Sequence, residues 1–157
     1  MPNKIDHVYP YLRVKDAPAA MRFYKDAFGA ELLFELVEPG GRVGHSELKF
    51  GDFIVMLSDE YPEYGIHAPQ TPGAGGTGIH LHVADVDAMT NTAVELGATL
   101  VMPPRDMFYG ERASKVIDPF GHEWLLGSPI EDVSPEEMQR RFTEMCHEGA
   151  DLTEPDA

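Results

Sequence analysis

Two short stretches decide the fold of this chain, Leu12-Arg13-Val14-Lys15-Asp16 and Leu81-His82-Val83-Ala84-Asp85, which stand 69 residues apart. Each ends in an aspartate that can cap a helix, and a helical pattern follows each of them. After each helix the chain re-enters in a similar way, as Phe28-Gly29-Ala30-Glu31-Leu32 and as Leu96-Gly97-Ala98-Thr99-Leu100. The repetition indicates a duplicated unit.

The pattern around the two stretches predicts the same element order in both copies. Helices are predicted over residues 17–28 and 86–96, where apolar residues recur at helical spacing and a glycine follows the end. Runs of apolar and β-branched residues bounded by turn residues then predict three strands in each copy. The strands cover residues 31–38, 43–50 and 53–58 in the first copy, and 99–102, 112–117 and 123–126 in the second. The two opening stretches are predicted to be strands as well, so each copy is a βαβββ module, and the fold class is α+β.

The modules leave a linker and a C-terminal segment. We expect one domain over residues 1–130, with module one at about 7–58, a linker rich in proline and glycine at 59–77, and module two at about 78–128. Ser134-Pro135-Glu136-Glu137 is a capping box with proline at the first helical position, so residues 131–148 are predicted to form a C-terminal helical segment. Its apolar stripe is expected to pack on the domain or on a partner subunit, and residues 149–157 are expected to be disordered.

Composition excludes several classes of partner. The chain has 157 residues and carries 27 acidic against 12 basic side chains, a formal net charge of -15. Nucleic acids and anionic membrane surfaces both require a basic face, so neither is expected as a partner. No apolar run reaches the length of a membrane-spanning helix, and the first residues do not resemble a signal peptide. The single cysteine, Cys146, excludes an internal disulfide, and we expect a cytoplasmic protein.

Several stretches resemble the vicinal oxygen chelate superfamily, which includes glyoxalase I, the bleomycin-resistance proteins and the extradiol dioxygenases. The resemblance is greatest to its PhnB-like branch and extends from about residue 8 to residue 142. The stretches that carry it are Tyr24–Ala30, Gly44–Leu48, Met102-Pro103-Pro104, Phe108–Arg112, Asp118–Trp124 and Glu131–Met138. It implies two modules whose strands form a curled, cup-shaped mixed sheet around a small-molecule ligand, and it implies a homodimer.

The resemblance also implies where a metal ion would bind, in the first and last strand of each module. Aligned residue by residue, the four usual ligand positions fall on Tyr9 and Met56 in module one and on Gly78 and Leu125 in module two. Tyr9 and Gly78 are 69 residues apart, and so are Met56 and Leu125, which is the offset that relates the modules. Apart from the tyrosine, none of these residues can bind a hard or borderline cation well. The sequence therefore predicts no metal at the usual positions.

Other polar residues are candidates for a relocated site. Alternate residues of a strand share a face, so His80 and His82 are expected in the cup with imidazoles about 6–7 Å apart. His45 and Glu47 share the polar face of a strand in module one. These four residues are an alternative metal site for zinc, nickel or iron, and their alternative role is hydrogen bonding to each other, to water or to a ligand. His45 and His80 are candidate general bases, because imidazole titrates near neutral pH.

The remaining candidates are expected to contact a ligand. Aromatic rings and arginines suit a flat or anionic organic molecule, through stacking and bidentate hydrogen bonds. Apolar residues at two of the usual metal positions favour a hydrophobic or aromatic molecule. The candidate ligand-binding residues are Tyr9, Tyr11, Arg13, Met56, His80, His82, Phe108, Tyr109, Arg112 and Leu125.

Three hypotheses of function follow. The first is a small-molecule-binding protein without a metal ion or other cofactor. The second is a metal-dependent or histidine-based enzyme of the lyase, isomerase or hydrolase type, which acts on a small oxygenated or carbonyl substrate at the relocated site. The third is a domain whose cup is filled by its own side chains. The sequence does not contain the glycine-rich loop of a methyl-donor site, which argues against a methyltransferase.

Overall fold

The computed structural model describes residues 3–149 of the chain. Module one consists of β1 (Tyr11–Val14), α1 (Ala17–Phe28), β2 (Glu31–Val37), β3 (Val43–Phe50) and β4 (Phe53–Asp59). Its four strands form a sheet in the order β1-β4-β3-β2. β1 lies parallel to β4, and the other neighbours are antiparallel.

Module two repeats this arrangement. It consists of β5 (Gly78–His82), α2 (Val86–Glu95), β6 (Thr99–Asp106), β7 (Glu111–Ile117) and β8 (Glu123–Pro129). The strand order is β5-β8-β7-β6, with β5 parallel to β8. The predicted α+β fold with two βαβββ modules is confirmed, and each module forms a four-stranded sheet of its own.

α1 covers the predicted residues, and α2 begins as predicted and ends one residue earlier than predicted, at Glu95. The Asp16 carboxylate accepts a hydrogen bond from Ala19 N at 2.9 Å, and Asp85 does the same for Ala88 N at 2.9 Å. α1 ends at Gly29, whose φ of 71° lies in the left-handed region that favours glycine. The short side chains before each helix and the glycines after them therefore set these boundaries locally.

β6 is longer than predicted, because it continues to Asp106 through Pro103 and Pro104. It is the last strand of its sheet, and its register with β7 shifts between Leu100 and Arg105. Prolines are tolerated in such a place because an edge strand leaves some backbone N–H groups without a ladder partner. A pair of prolines is thus compatible with an irregular edge strand.

The core lies on the helix side of both sheets and joins the modules. Trp124 of β8 is completely buried, and its ring lies 5.2 Å from that of Tyr24 on α1 and 5.5 Å from that of Phe50 on β3. α2 covers the second sheet, where Thr90 Oγ1 and Ser114 Oγ lie 2.6 Å apart. Aromatic packing of this kind couples the two modules, because each ring buries a large apolar surface.

A buried carboxylate holds this core together. Asp118 lies in the turn before β8, is 3% exposed, and accepts hydrogen bonds from four donors. Oδ2 accepts from Tyr24 Oη of module one at 2.6 Å and from Trp124 Nε1 at 2.8 Å. Oδ1 accepts from the backbone N–H groups of Phe120 and His122 at 2.9 and 3.0 Å. Since all its polar contacts are made, the carboxylate can remain buried.

The remaining segments are the C-terminal helix and the linker between the modules. α3 (Pro135–His147) is capped by Ser134 Oγ, which accepts from Glu137 N at 3.2 Å. It contacts the turn between β6 and β7, where Arg141 Nη1 donates to Phe108 O at 3.0 Å and the Phe142 ring lies 5.8 Å from that of Phe108.

The linker contains one 3-10 turn at Pro62–Tyr64. In residues 3–149 no helix has both the length and the apolar character needed to cross a membrane. Disorder is predicted for residues 149–157, of which 150–157 lie outside the described residues.

Replacing Tyr24 with phenylalanine tests the role of the buried carboxylate. The substitution removes one donor to Asp118 and keeps the ring, so the free energy of unfolding should fall by about 1.5–3 kcal/mol. Urea denaturation measures this change. Tyr64→Phe is the control, because Tyr64 is 75% exposed and its loss should change stability by less than about 0.5 kcal/mol.

The difference in stability between the wild type and Tyr24→Phe should also depend on pH. Burial, reinforced by the Asp118 charge and hydrogen bond, raises the pKa of Tyr24 well above its ordinary value of 10.0. The folded state therefore keeps the hydroxyl neutral where the unfolded chain would ionise it. The stability difference between wild type and Tyr24→Phe should be constant below about pH 10 and decline above it. A difference that grew with pH would contradict this assignment.

Candidate functional site

Each sheet has one face turned away from the helices, which we call the open face. In the first sheet Tyr11 pairs with Met56, and Met56 pairs with Glu47, so these three side chains share that face. In the second sheet His80 pairs with Leu125, and His82 pairs with Gly127. The opposite face of β8 carries the buried Trp124 and Leu126. Strand parity therefore places Tyr11, Glu47 and Met56 of module one, and His80, His82 and Leu125 of module two, on the open faces.

The four usual metal positions do not fit a metal ion. Tyr9 precedes β1 and stacks on His7 with ring centroids 5.7 Å apart. Met56 and Leu125 offer a thioether and an aliphatic chain, and Gly78 offers no side chain. A Cβ at Gly78 would lie 3.0 Å from Leu125 Cδ1, so Leu125 takes the space beside it. Such residues lack the nitrogen, thiolate and carboxylate donors that zinc, nickel or iron requires.

A cluster of three ligand-type side chains lies instead on the open face of the second sheet. His82 Nε2 is 2.8 Å from Glu111 Oε1, and His80 Nε2 is 3.5 Å from Glu111 Oε2. The two imidazole rings have centroids 5.1 Å apart. One ligand atom from each residue lies within 4.8 Å of the others. We call His80, His82 and Glu111 the His-His-Glu cluster.

Glu111 is the member of this cluster that sequence reasoning missed. In the stretch Gly110-Glu111-Arg112 the sequence favours the arginine as the ligand contact, because a guanidinium suits an anionic ligand. Strand parity in β7 was the available signal, since Glu111 shares its face with Ala113, which pairs with Gly127 beside His82. That register depends on pairing between β7 and β8, which a single sequence does not fix.

Gly110 sets the position from which Glu111 enters β7. Its φ is 91°, and its carbonyl accepts hydrogen bonds from Ile130 N at 2.9 Å and Glu131 N at 3.1 Å. A Cβ at this position would lie 2.4 Å from Glu131 O. A glycine is needed here both for the backbone conformation and for the close approach of the segment after β8.

His45 and Glu47 lie on the first sheet and form a different contact. Tyr11 Oη and His45 Nδ1 are 2.6 Å apart, and His45 Nε2 is 3.6 Å from Glu47 Oε1. Within residues 3–149 the only group of three or more ligand-type side chains close enough for one ion is the His-His-Glu cluster. The structure thus brings His80 and His82 of the four-residue alternative together with Glu111, and it does not bring His45 and Glu47 into that group.

The other predicted ligand contacts are distributed over both modules. Arg13 lies with its guanidinium carbon 3.7 Å from the centroid of the Tyr11 ring, a cation–π contact. Phe108 and Tyr109 lie in the turn before β7, with rings 5.2 Å apart. Burial, and then the Glu111 charge, raises the pKa of Tyr109 above its ordinary value.

Arg112 points in the direction opposite to Glu111. Its Nε and Nη2 donate to the two carboxylate oxygens of Asp87 on α2 at 2.6 and 2.8 Å, and Nη1 donates to Asp106 at 2.9 Å. The two hydrogen bonds from Arg112 lower the pKa of the Asp87 carboxyl below its ordinary value. The guanidinium is therefore already paired with two carboxylates, and ligand contact by Arg112 stays a prediction.

Two clefts are lined by some of the candidate ligand-binding residues. The larger, of about 700 Å³, lies between the segment before β1, the start of β4 and the first half of β5. Its lining is mainly apolar and aromatic and includes Tyr9, Phe53, Ile54, Ile79 and His80. A second cleft, of about 490 Å³, is bounded by Tyr11, Arg13, His122 and the linker. A volume of several hundred cubic ångströms accommodates a small organic molecule.

Comparison with known proteins gives the relationships of the chain. Residues 4–126 match the model of the Glyoxalase/Bleomycin resistance protein/Dioxygenase superfamily. An uncharacterized protein of Mycobacterium bovis is 42% identical over 133 residues, which cover 83% of this chain and 88% of that protein. A match of this extent covers both modules.

Solved structures share the fold. TioX from Micromonospora sp. ML1 is 26% identical, with a TM-score of 0.60 over 82% of this chain and all of that one. A PhnB protein from Bacillus cereus is 17% identical, with a TM-score of 0.64 over 78% of this chain and 99% of that one. The fosfomycin resistance protein FosX from Listeria monocytogenes is 17% identical, with a TM-score of 0.65 over 86% of this chain and 99% of that one.

Replacing Gly110 with alanine tests how the site is positioned. The added methyl group meets a backbone carbonyl, which cannot move as a side chain can, so we expect a loss of more than about 3 kcal/mol in stability. Gly76→Ala is a matched control, because Gly76 has a φ of 70° but nothing within 4 Å of an added Cβ. Conformational strain alone should cost that variant about 1 kcal/mol. Equal losses in urea denaturation would contradict the close approach.

Proposed function

Because the chain belongs to the glyoxalase/bleomycin resistance protein/dioxygenase superfamily, we propose that it is a small-molecule-binding protein that holds an organic ligand in the cleft between its modules, with no ion at the four usual positions. The single observation that carries the proposal is the cleft of about 700 Å³ between the modules, which has an apolar lining. Its size and lining are those of small-molecule sites, which are mostly apolar with a few polar groups.

The lining favours a hydrophobic or aromatic ligand. Phe53 is 78% exposed and Tyr9 is 40% exposed, so two aromatic rings at this cleft present surface that a ligand can cover. Ile54 and Ile79 add aliphatic surface, and His80 supplies a polar group at one side. Burial of ring and aliphatic surface supplies affinity, while one polar group fixes orientation.

A thermal-shift screen of aromatic and phosphonate compounds tests the proposal. A ligand at 100 times its dissociation constant stabilises the folded state by about 2.7 kcal/mol, which for a chain of this size raises Tm by roughly 5–10 °C. Tyr9→Ala should reduce the shift, because it removes ligand-facing ring surface. Tyr64→Ala, at an exposed tyrosine outside the cleft, should keep it. A shift that is the same in both variants would place the ligand elsewhere.

An enzyme is the second candidate function, and the His-His-Glu cluster is the observation that favours it. Two imidazoles and a carboxylate can move protons or hold an ion beside a substrate oxygen. The reaction would be of the lyase or isomerase type, on a small oxygenated or carbonyl substrate, with His80 contacting both the cluster and the larger cleft. His45 beside Tyr11 is a further candidate base.

We also propose that the chain belongs to the PhnB-like branch of the superfamily, which is supported by the structural similarity to the Bacillus cereus protein.

The setting proposed for the protein follows from its charge and its cysteine. A net charge of -15 opposes binding to nucleic acids and to anionic membranes. The lone Cys146 is exposed and free, which suits a reducing compartment such as the cytoplasm.

We also propose that the chain forms a homodimer, with a second copy covering β2. Every residue of this edge strand is exposed. Its large apolar residues are between 43% and 61% exposed, namely Leu32, Leu33, Phe34, Leu36 and Val37. A contiguous apolar strand at a sheet edge is typical of an interface, because it leaves both hydrophobic surface and backbone groups to be covered.

Light scattering coupled to gel filtration tests the dimer. The wild type should have a mass of about 35 kDa, which is twice 17.4 kDa. Leu36→Glu places a charge on the apolar strand and should give the monomer mass. Tyr64→Glu, at a residue that is 75% exposed in the linker, should remain dimeric. A wild-type protein of monomer mass would contradict this proposal and leave ligand binding to be judged by the thermal shift.

A further inference from the structure

We propose that His80, His82 and Glu111 bind one divalent transition-metal ion on the open face of the second sheet, away from the four positions used by the metal-dependent relatives. The site would take zinc, or another borderline ion such as nickel, cobalt or ferrous iron. The inference is independent of the proposed ligand binding, because a protein can hold the ion, the organic ligand, or both.

The two distances from Glu111 to the histidines, one from each carboxylate oxygen, lie in the range found between ligands of one ion. Nitrogen and oxygen atoms bound at about 2.0–2.2 Å from a single ion stand about 2.8–3.6 Å from one another. The separations of Glu111 from His82 and His80 are 2.8 and 3.5 Å. All three residues stand on strands of one sheet, which holds ligands more rigidly than a loop does.

The carboxylate carries an unmet requirement that an ion would satisfy. Glu111 Oε2 is buried and has no hydrogen-bond partner, although the side chain as a whole is 17% exposed. A buried carboxylate oxygen without a partner is costly, and an orphaned group of this kind calls for an ion or an ordered water. The oxygen faces the nitrogen of His80, so a cation between them would contact both.

Gly127 leaves the space in which these atoms meet. It lies on β8, between β5, which carries the histidines, and β7, which carries Glu111. A Cβ at this position would lie 2.6 Å from His80 Nε2 and 2.7 Å from Glu111 Oε2. Gly127 is not among the glycines with positive φ, so its backbone does not require a glycine. The space needed by the ligand atoms explains why this position has no side chain.

The first module cannot provide the same site. By the offset of 69 that relates the modules, the position equivalent to His80 is Tyr11, and the position equivalent to His82 is Arg13. The guanidinium of Arg13 lies over the Tyr11 ring and is permanently charged, so this position repels a cation. The two modules share a framework, and only the second has the donors for an ion.

Three protein ligands leave part of the coordination sphere open. Catalytic zinc sites and iron sites with two histidines and one carboxylate have this composition, whereas structural zinc sites are closed by four protein ligands. Because His80 also lines the larger cleft, the open positions adjoin the place where an organic ligand is proposed to bind. Water or an oxygen atom of that ligand would complete the coordination.

Metal titration of untagged, chelator-treated protein tests the proposal. Isothermal titration with Zn²⁺ and the visible absorption of Co²⁺ should both give one ion per chain. His80→Ala, His82→Ala and Glu111→Gln should each weaken binding by roughly tenfold or more, because each removes one of three ligands. His45→Ala removes the histidine that contacts Glu47 on the first sheet, and should leave affinity unchanged.

Gly127→Ala separates the site from the fold. The added methyl group meets only the tips of two side chains, so the urea midpoint should stay near that of the wild type while metal affinity falls. Failure to bind a stoichiometric ion, unchanged affinity in Glu111→Gln, or a loss in His45→Ala equal to that in His80→Ala would each overturn the site. Repeating the thermal-shift screen in chelator keeps the two proposals apart, because ligand shifts that persist there support the cleft alone.

Discussion

The Asp118 carboxylate is the contact on which the arrangement of the two modules depends. It accepts hydrogen bonds from Tyr24 of the first module, from Trp124 of the second, and from two backbone groups of its own turn. Because a buried charge is tolerated only when its hydrogen bonds are complete, the turn, α1 and β8 must come together at once. β8 in turn lies between β5 and β7, the strands that carry the candidate site. The core on one face of the second sheet thus determines the geometry on the other.

Local signals in the sequence were sufficient for most of the fold. Asp16 and Asp85 begin the helices, and both bond to the backbone as helix caps do. β6 shows where local signals fail, because Pro103 and Pro104 suggested an end to a strand that continues through them. A strand edge tolerates prolines, but which strand lies at the edge is decided by the pairing of distant segments.

The candidate site was predicted in part for the same reason. The spacing of His80 and His82 is local, so parity alone placed both on one face. Glu111 joins them only through the register of β7 on β8 and of β8 on β5, which no short stretch encodes. The departure from the usual metal positions could be predicted from Met56, Gly78 and Leu125, because it needed only the identities of the aligned residues. The role of Gly127 could not be predicted, because a glycine in the sequence does not show which side chains occupy the space beside it, here those of His80 and Glu111.

The exposed strand Glu31–Val37 has a consequence for the handling of the protein. Wherever a second copy does not cover it, an edge of this composition is a template for intermolecular β-pairing, and segments of six or seven apolar, β-forming residues are those that stack into amyloid-like fibrils. Glu31 and Glu35 interrupt the segment with negative charges, which repel when identical strands stack in register. Loss of these two charges by substitution would remove that repulsion, so neutral variants at Glu31 and Glu35 are expected to form fibrillar precipitate more readily than the wild type.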